Sequence, residues 1–218
     1  MKKKLTELVF ILDKSGSMAG LENDTIGGYN SMLEKQQALP GKAYITTVLF
    51  DHSYTLLHDR IDIRAVKPIT GNEYQAGGNT ALIDAIGKTI HKIVNAQKNT
   101  TKDYRADNVL FVIITDGHEN ASREYASAKV KKMVEQQKSQ YGWEFIFLGA
   151  NIDAVETAAH FGIAPDRAQN YHNDGLGAGK NYEALNHVAH CMRVSSKIPS
   201  NWNEEIAADF MQRGSDKK

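Results

Sequence analysis

Two uninterrupted apolar runs constrain this chain most: Leu8-Val-Phe-Ile-Leu12 and Val109-Leu-Phe-Val-Ile-Ile114. A strand with one solvated face alternates apolar and polar residues; a strand buried on both faces does not. Runs of this kind therefore predict central strands of a parallel sheet with helices on both sides. Each run also ends in a carboxylate. Asp13 follows the first directly, and Thr115-Asp116-Gly117 closes the second. Right-handed crossovers place the loops after such strands beside each other. Ligands of open α/β sheets bind at those carboxyl ends, where strand order reverses.

The remaining segments alternate between the two periods. Residues 5–12 read as strand one. Asn23-Asp24-Thr25 supplies N-cap chemistry for a helix with Ile26, Tyr29, Met32 and Leu33 at helical spacing, ended by Pro40-Gly41. Residues 43–50 are β-branched and aromatic, as a strand requires. Residues 53–60 follow after a connection too short for a crossover, so they form an antiparallel partner at the sheet edge. Residues 80–97 carry one apolar stripe, from Leu82 through Ile86 and Ile90 to Val94. Residues 108–115 make a strand, 122–140 a long polar helix and 143–149 a further strand. Asp153 caps a short helix that ends at Phe161; 168–171 is a short strand, and 180–194 the last helix of the body. The expected fold class is α/β: a three-layer, doubly wound, Rossmann-like domain with one antiparallel edge strand.

The chain has 218 residues, with 26 Lys and Arg against 26 Asp and Glu. Its formal charge is zero, and no basic field argues for nucleic acid. Lys2-Lys3-Lys4 and Lys217-Lys218 read as solvated ends. The single cysteine, Cys191, excludes an internal disulfide and suits a reducing compartment. The first apolar run is too short for a signal sequence and ends in Asp13. No stretch approaches the length of a membrane span. A soluble, cytoplasmic protein is expected.

The loop after the first run is Asp13-Lys14-Ser15-Gly16-Ser17: a carboxylate and two hydroxyls, two residues apart. Hard oxygen ligands of this kind suit a hard divalent cation, which keeps open positions for other ligands. Gly77-Gly78-Asn79-Thr80 adds a third hydroxyl at the start of a helix, and Asp116 a second carboxylate. Together these segments resemble the metal-ion-dependent adhesion site of von Willebrand factor type A domains. That pattern is D-x-S-x-S, a Thr in a Gly-rich second loop and an Asp in a T-D-G third loop; Asp13, Ser15, Ser17, Thr80 and Asp116 match it in order. The resemblance covers residues 5–195. It implies that Ser15, Ser17 and Thr80 ligate Mg²⁺ directly, with Mn²⁺ or Ca²⁺ as alternatives, and that Asp13 and Asp116 act largely through water. It further implies that an Asp or Glu of a protein partner completes the metal shell. Members of this kind that act inside bacterial cells often serve in multiprotein assemblies.

Other features weigh less. Lys14, His118 and Glu119 are the only catalytic candidates on the site loops; the ordinary reading of the last two is exposed loop, and of Asp51 a turn residue. Gly175-Leu-Gly-Ala-Gly-Lys180 misses the Walker pattern by one residue and lacks its Ser or Thr; a flexible loop is expected there. His187, His190 and Cys191 can share a helix face, which is ordinarily packing. The body is expected to span residues 1–198. In the final segment, 199–218, Asn201 is a candidate N-cap with Glu204 in a capping box. Trp202, Ile206 and Phe210 then share one face of a short helix over 201–212, expected to pack on its own domain.

Two function classes emerge. The first is a non-enzymatic, cation-dependent protein-interaction module without nucleic acid or membrane contact. The second is a metal-dependent enzyme of nucleotide or phosphate chemistry. Catalysis would need an activated water with a placed base, or a second metal.

Overall fold

The computed structural model describes residues 4–214. Lys2, Lys3, Lys217 and Lys218 lie outside it. Six strands, β1 (Leu5–Asp13), β2 (Lys42–Phe50), β3 (Tyr54–Asp62), β4 (Asn108–Thr115), β5 (Glu144–Gly149) and β6 (Ala168–Asn170), form one sheet in the order β3-β2-β1-β4-β5-β6. All pairings are parallel except β2 with β3, which is antiparallel and at the edge. The helices are α1 (Glu22–Gln37), α2 (Leu82–Asn99), α3 (Ser127–Tyr141), α4 (Ala154–His160), α5 (Gly175–Ser195) and α6 (Glu204–Gly214). No helix among the described residues is long and apolar enough to cross a membrane.

Alternate residues of the apolar runs feed two separate cores, because successive side chains on a strand point to opposite faces. Leu8, Phe10, Leu12, Leu110, Val112 and Ile114 meet α1, α5 and α6 on one face. Val9, Ile11, Val109, Phe111 and Ile113 meet α2, α3 and α4 on the other. This two-sided burial explains why neither run can carry a polar residue. Strand order reverses between β1 and β4, which places the ends of both runs side by side.

Several boundaries differ from expectation. The first helix begins at Glu22, ahead of the expected Asn23-Asp24-Thr25 cap, and no side chain caps it. α2 begins at Leu82, because Thr80 pairs with Asn120 instead: its N–H donates to Asn120 Oδ1 at 2.8 Å and its carbonyl accepts from the Asn120 N–H at 3.0 Å. α3 begins at Ser127, not at residue 122. The Asp84 carboxylate instead accepts the N–H groups of Arg123, Glu124 and Tyr125 and holds that stretch non-helical. The glycine-rich 175–180 stretch is no flexible loop. It is the first turn of α5, capped by Asp174 through the Gly177 N–H at 2.9 Å.

The last helix spans Glu204–Gly214, later than 201–212, and residues 201–203 form a turn. Asn201 Nδ2 touches Glu204 Oε2 at 3.3 Å, a side-chain contact in place of the expected capping box. The helix packs on the domain. Trp202 and Ile206 are buried, and the Trp202 indole donates to Asp166 O at 2.9 Å. Phe210 is half-buried and stacks on His172 with ring centroids 4.8 Å apart.

Candidate metal-binding site

The five residues singled out in the sequence lie at the carboxyl ends of β1 and β4 and in the loop preceding α2. Asp13 ends β1, and the chain turns back on it at once. Its Oδ1 accepts the Ser15 N–H at 2.7 Å, and its Oδ2 accepts the Thr115 hydroxyl at 2.6 Å. The Tyr74 hydroxyl donates to its carbonyl. The loop after β1 is stitched to the glycine-rich loop by two backbone bonds, Gly16 N to Gly78 O and Gly77 N to Lys14 O. Gly78 has φ +77°, and a Cβ there would meet His52 Nδ1 at 2.3 Å. Glycine meets both constraints without strain.

Ser15 and Ser17 present their hydroxyls 3.1 Å apart, and the Ser17 hydroxyl donates to Asp116 Oδ1 at 2.5 Å. Asp116 Oδ2 accepts from Asn173 Nδ2 at 2.9 Å. Thr80 closes the ring from the glycine-rich second loop. A Cβ placed on Gly117 would stand 3.3 Å from Ser17 Oγ and 3.6 Å from Thr80 Oγ1. The absent side chain leaves a cradle bounded by these two hydroxyls. Asp13, Ser15, Thr80 and Asp116 are buried, and Ser17 is exposed, so the group opens to solvent on one side.

No cation of the protein pairs with either carboxylate among the described residues. The loop's own cation, Lys14, turns away and meets Asp51 Oδ2 at 2.5 Å. Burial raises the Asp13 carboxyl above its ordinary value, and the bonds from Thr115 and Ser15 only partly offset it. Asp116 is raised by burial and by the charge of Asp13, against the bonds from Ser17 and Asn173. Asp51 shows the contrast. Burial pushes it up, but Lys14 and the Ser53 N–H outweigh that and hold it below the usual range.

This donor set fits a hard divalent ion. Two oxygens bound at right angles to Mg²⁺, each at about 2.1 Å, lie about 3.0 Å apart. The Ser15 and Ser17 hydroxyls already stand at 3.1 Å. Among the described residues, no three His, Cys, Asp or Glu side chains form a metal-holding cluster. The candidate donors on these three loops are therefore three hydroxyls and the two carboxylates Asp13 and Asp116.

Other candidates fall into place. Asp51 is both turn residue and Lys14 partner: its Oδ1 accepts the Ser53 N–H at 2.6 Å. Glu119 is not an ordinary exposed residue. Its carboxylate accepts the N–H groups of Ile83, Ala121 and Ser122 at 2.7–2.8 Å and so ties its loop to the start of α2. His118 is exposed beside a cleft lined by Asn151, Asp153, His172, Asn173 and Phe210. Lys180 pairs with Glu205 of α6, and Cys191 Sγ lies 3.7 Å from His187 Nε2. Sequence reasoning missed Thr115, Asn120 and Asn173, whose partners lie 40 to 102 positions away. No local pattern announces such pairings.

No curated protein matches the chain. Solved structures do. PilB minor pilin from Streptococcus sanguinis aligns with a TM-score of 0.62 at 10% identity, over 90% of this chain and 64% of that one. A von Willebrand factor type A protein from Catenulispora acidiphila gives 0.59 at 13%, over 86% and 43%. Proximal thread matrix protein 1 from the mussel byssus, with a zinc-occupied MIDAS motif, gives 0.56 at 13%, over 86% and 46%. The likeness is one of fold, and the chain spans less than two thirds of each of these proteins. A model of the von Willebrand factor type A domain matches residues 7–184, and the chain belongs to that family.

Proposed function

We propose that this chain is a non-catalytic binding module that captures an acidic side chain of a protein partner through a divalent cation. Ser15, Ser17 and Thr80 would hold the ion, with Asp13 and Asp116 behind them. Mg²⁺ is the expected ion, with Mn²⁺ or Ca²⁺ as alternatives. One observation carries this reading: among the described residues, two buried carboxylates stand without a protein cation behind a ring of hydroxyls that opens to solvent. When bound, the ion supplies an electrophilic centre that favours an anionic oxygen ligand, because neutral hydroxyls leave much of its charge unsatisfied. The chain's own residues then do the rest. Asp13 keeps the Ser15 backbone in place, Asp116 orients the Ser17 hydroxyl, and Asn120 fixes the Thr80 backbone. The zinc-occupied site of the mussel byssus protein is a precedent on this fold for an occupied motif.

The phosphate-chemistry reading is less well supported. Glu119, its best base, is engaged by three backbone amides. An intracellular setting accords with the lone Cys191. The test is thermal melting against Mg²⁺ and Mn²⁺, followed by capture of an Asp-containing peptide library on immobilised protein. The melting temperature should rise with metal in the wild type and not in Asp116→Ala. Capture should need metal, reverse with EDTA and fail when the Asp is changed to Asn. Melting that no ion moves would overturn the metal site, and metal-dependent turnover of a phosphate ester would select the enzyme reading.

A further inference from the structure

Among the described residues, six buried side-chain atoms have no hydrogen-bond partner in the protein. Three of them, Asn173 Oδ1, Asn181 Oδ1 and the Tyr182 hydroxyl, belong to residues that line one cavity, behind Asp13. Asn181 is 1% and Tyr182 5% exposed, so bulk water does not serve them. Orphaned polar groups at such depth are rare in folded proteins, and three at one place point to a missing partner. The cavity measures about 10 Å³, at the edge of the roughly 10–15 Å³ that a single water needs. Leu12, Ile114, Ala178 and other apolar side chains complete its wall.

The chemistry of the three atoms selects the occupant. Two are amide oxygens and only accept. The third is a phenol that burial keeps protonated, so it can donate. A water molecule offers two donors and an acceptor, the complement of this set.

We propose that one buried water fills this cavity, donating to Asn173 and Asn181 and accepting from Tyr182, and that it braces Asn173 as the positioning residue of Asp116. Asn173 works from both ends of its amide. Its nitrogen donates to Asp116 Oδ2 at 2.9 Å; its oxygen has nothing to hold except this water. Asn181 and Tyr182 lie on the second turn of α5. The water thereby joins α5 to the carboxylate after β4, two elements that no direct side-chain bond connects at this point. The effect on metal affinity rests on the site reading proposed above; the water itself does not.

A high-resolution crystal structure of the whole chain tests the water. Ordered density within hydrogen-bond distance of all three atoms is expected, and an empty cavity overturns the proposal. Two variants test the brace: Tyr182→Phe, which removes only the donor, and Asn181→Leu, which replaces an acceptor by hydrocarbon. Both should leave the fold intact by circular dichroism. Supporting groups behind a metal site change affinity about tenfold to a hundredfold. Mn²⁺ affinity, read as free Mn²⁺ by electron paramagnetic resonance, should therefore fall about tenfold or more in both. Wild-type affinity in a variant whose crystals have lost the water would overturn the brace. If the wild type itself binds no Mn²⁺, the site reading fails, and the brace is then judged by the Asp116 side-chain orientation in crystals of Asn181→Leu. An unmoved Asp116 overturns it and a rotated one supports it.

Discussion

Strand β1 carries a buried carboxylate near each end, and the protein treats the two differently. Glu7 at the amino end is fully buried and meets a cation of its own chain: Arg60 Nε donates to it at 2.8 Å, with Gln97 Nε2 at 3.0 Å. Asp13 at the carboxyl end is equally buried but receives only neutral donors, the Ser15 N–H and the Thr115 hydroxyl. The nearest loop cation, Lys14, is drawn off to Asp51. Burying a charge is expensive unless a counter-charge accompanies it. The structural end of the strand supplies that counter-charge internally. At the other end no cation supplies it among the described residues, and the proposed metal site rests on that difference.

The largest expected effect breaks the closed end. Arg60→Ala leaves Glu7 buried and unpaired, and removing one partner of a buried pair costs about 3–5 kcal/mol. Denaturant unfolding measures it, and a loss near that of an exposed residue would show that Glu7 is not held by Arg60. Asp13→Asn should behave in the opposite way. In metal-free buffer its stability should stay within about 1 kcal/mol of wild type, since the amide oxygen still accepts the Ser15 N–H and the Thr115 hydroxyl can turn its hydrogen to Gly117 O and accept from the new amide. Its metal response should vanish. At a hundredfold excess over Kd, a bound ion adds about 2.7 kcal/mol to the wild type. Asp13→Asn should gain none of it in the same melting series, and a full gain would remove Asp13 from the site.

The smallest effect is a pH dependence at the closed end. Burial raises the Glu7 carboxyl above 4.5, against the pull of Arg60 and Gln97. The native state therefore keeps this proton at a pH where the unfolded chain has released it. That contribution to stability is present below 4.5 and declines as pH rises through the native value. Relative to Glu7→Gln, the wild type should lose stability across that window. A difference that does not change with pH would mean that Glu7 titrates alike in both states.

Much of this arrangement is legible along the chain. The two apolar runs announce buried strands because each must satisfy two cores at once. Asp13, Ser15, Ser17, Thr80 and Asp116 are legible because three short loops each carry their own local pattern. The supporting residues are not legible. Asp84 holds the 123–125 backbone, Glu119 ties its loop to α2, and Asn173 bonds Asp116, across gaps of 36 to 57 positions. The Asp84 bonds also displaced the expected start of α3. A carboxylate from another element captured amides that local propensity would have placed in a helix. Arg60 is a further case. It sits at a register shift between β2 and β3 with φ +50°, and its side chain meets Glu7 on β1.

By itself the sequence determined the layer architecture, the edge hairpin, the five oxygen-bearing residues and the apolar face of the last helix. Each depends on periodicity or spacing within one segment, and short-range geometry is nearly invariant from fold to fold. Only the tertiary structure decided which buried carboxylate meets a cation of the chain and which meets neutral donors alone. It likewise decided where α3 begins, and which three polar atoms are stranded behind Asp13. Those outcomes depend on distances between segments remote in the chain. Such distances are set by the packing of whole helices against the sheet, which no local pattern encodes.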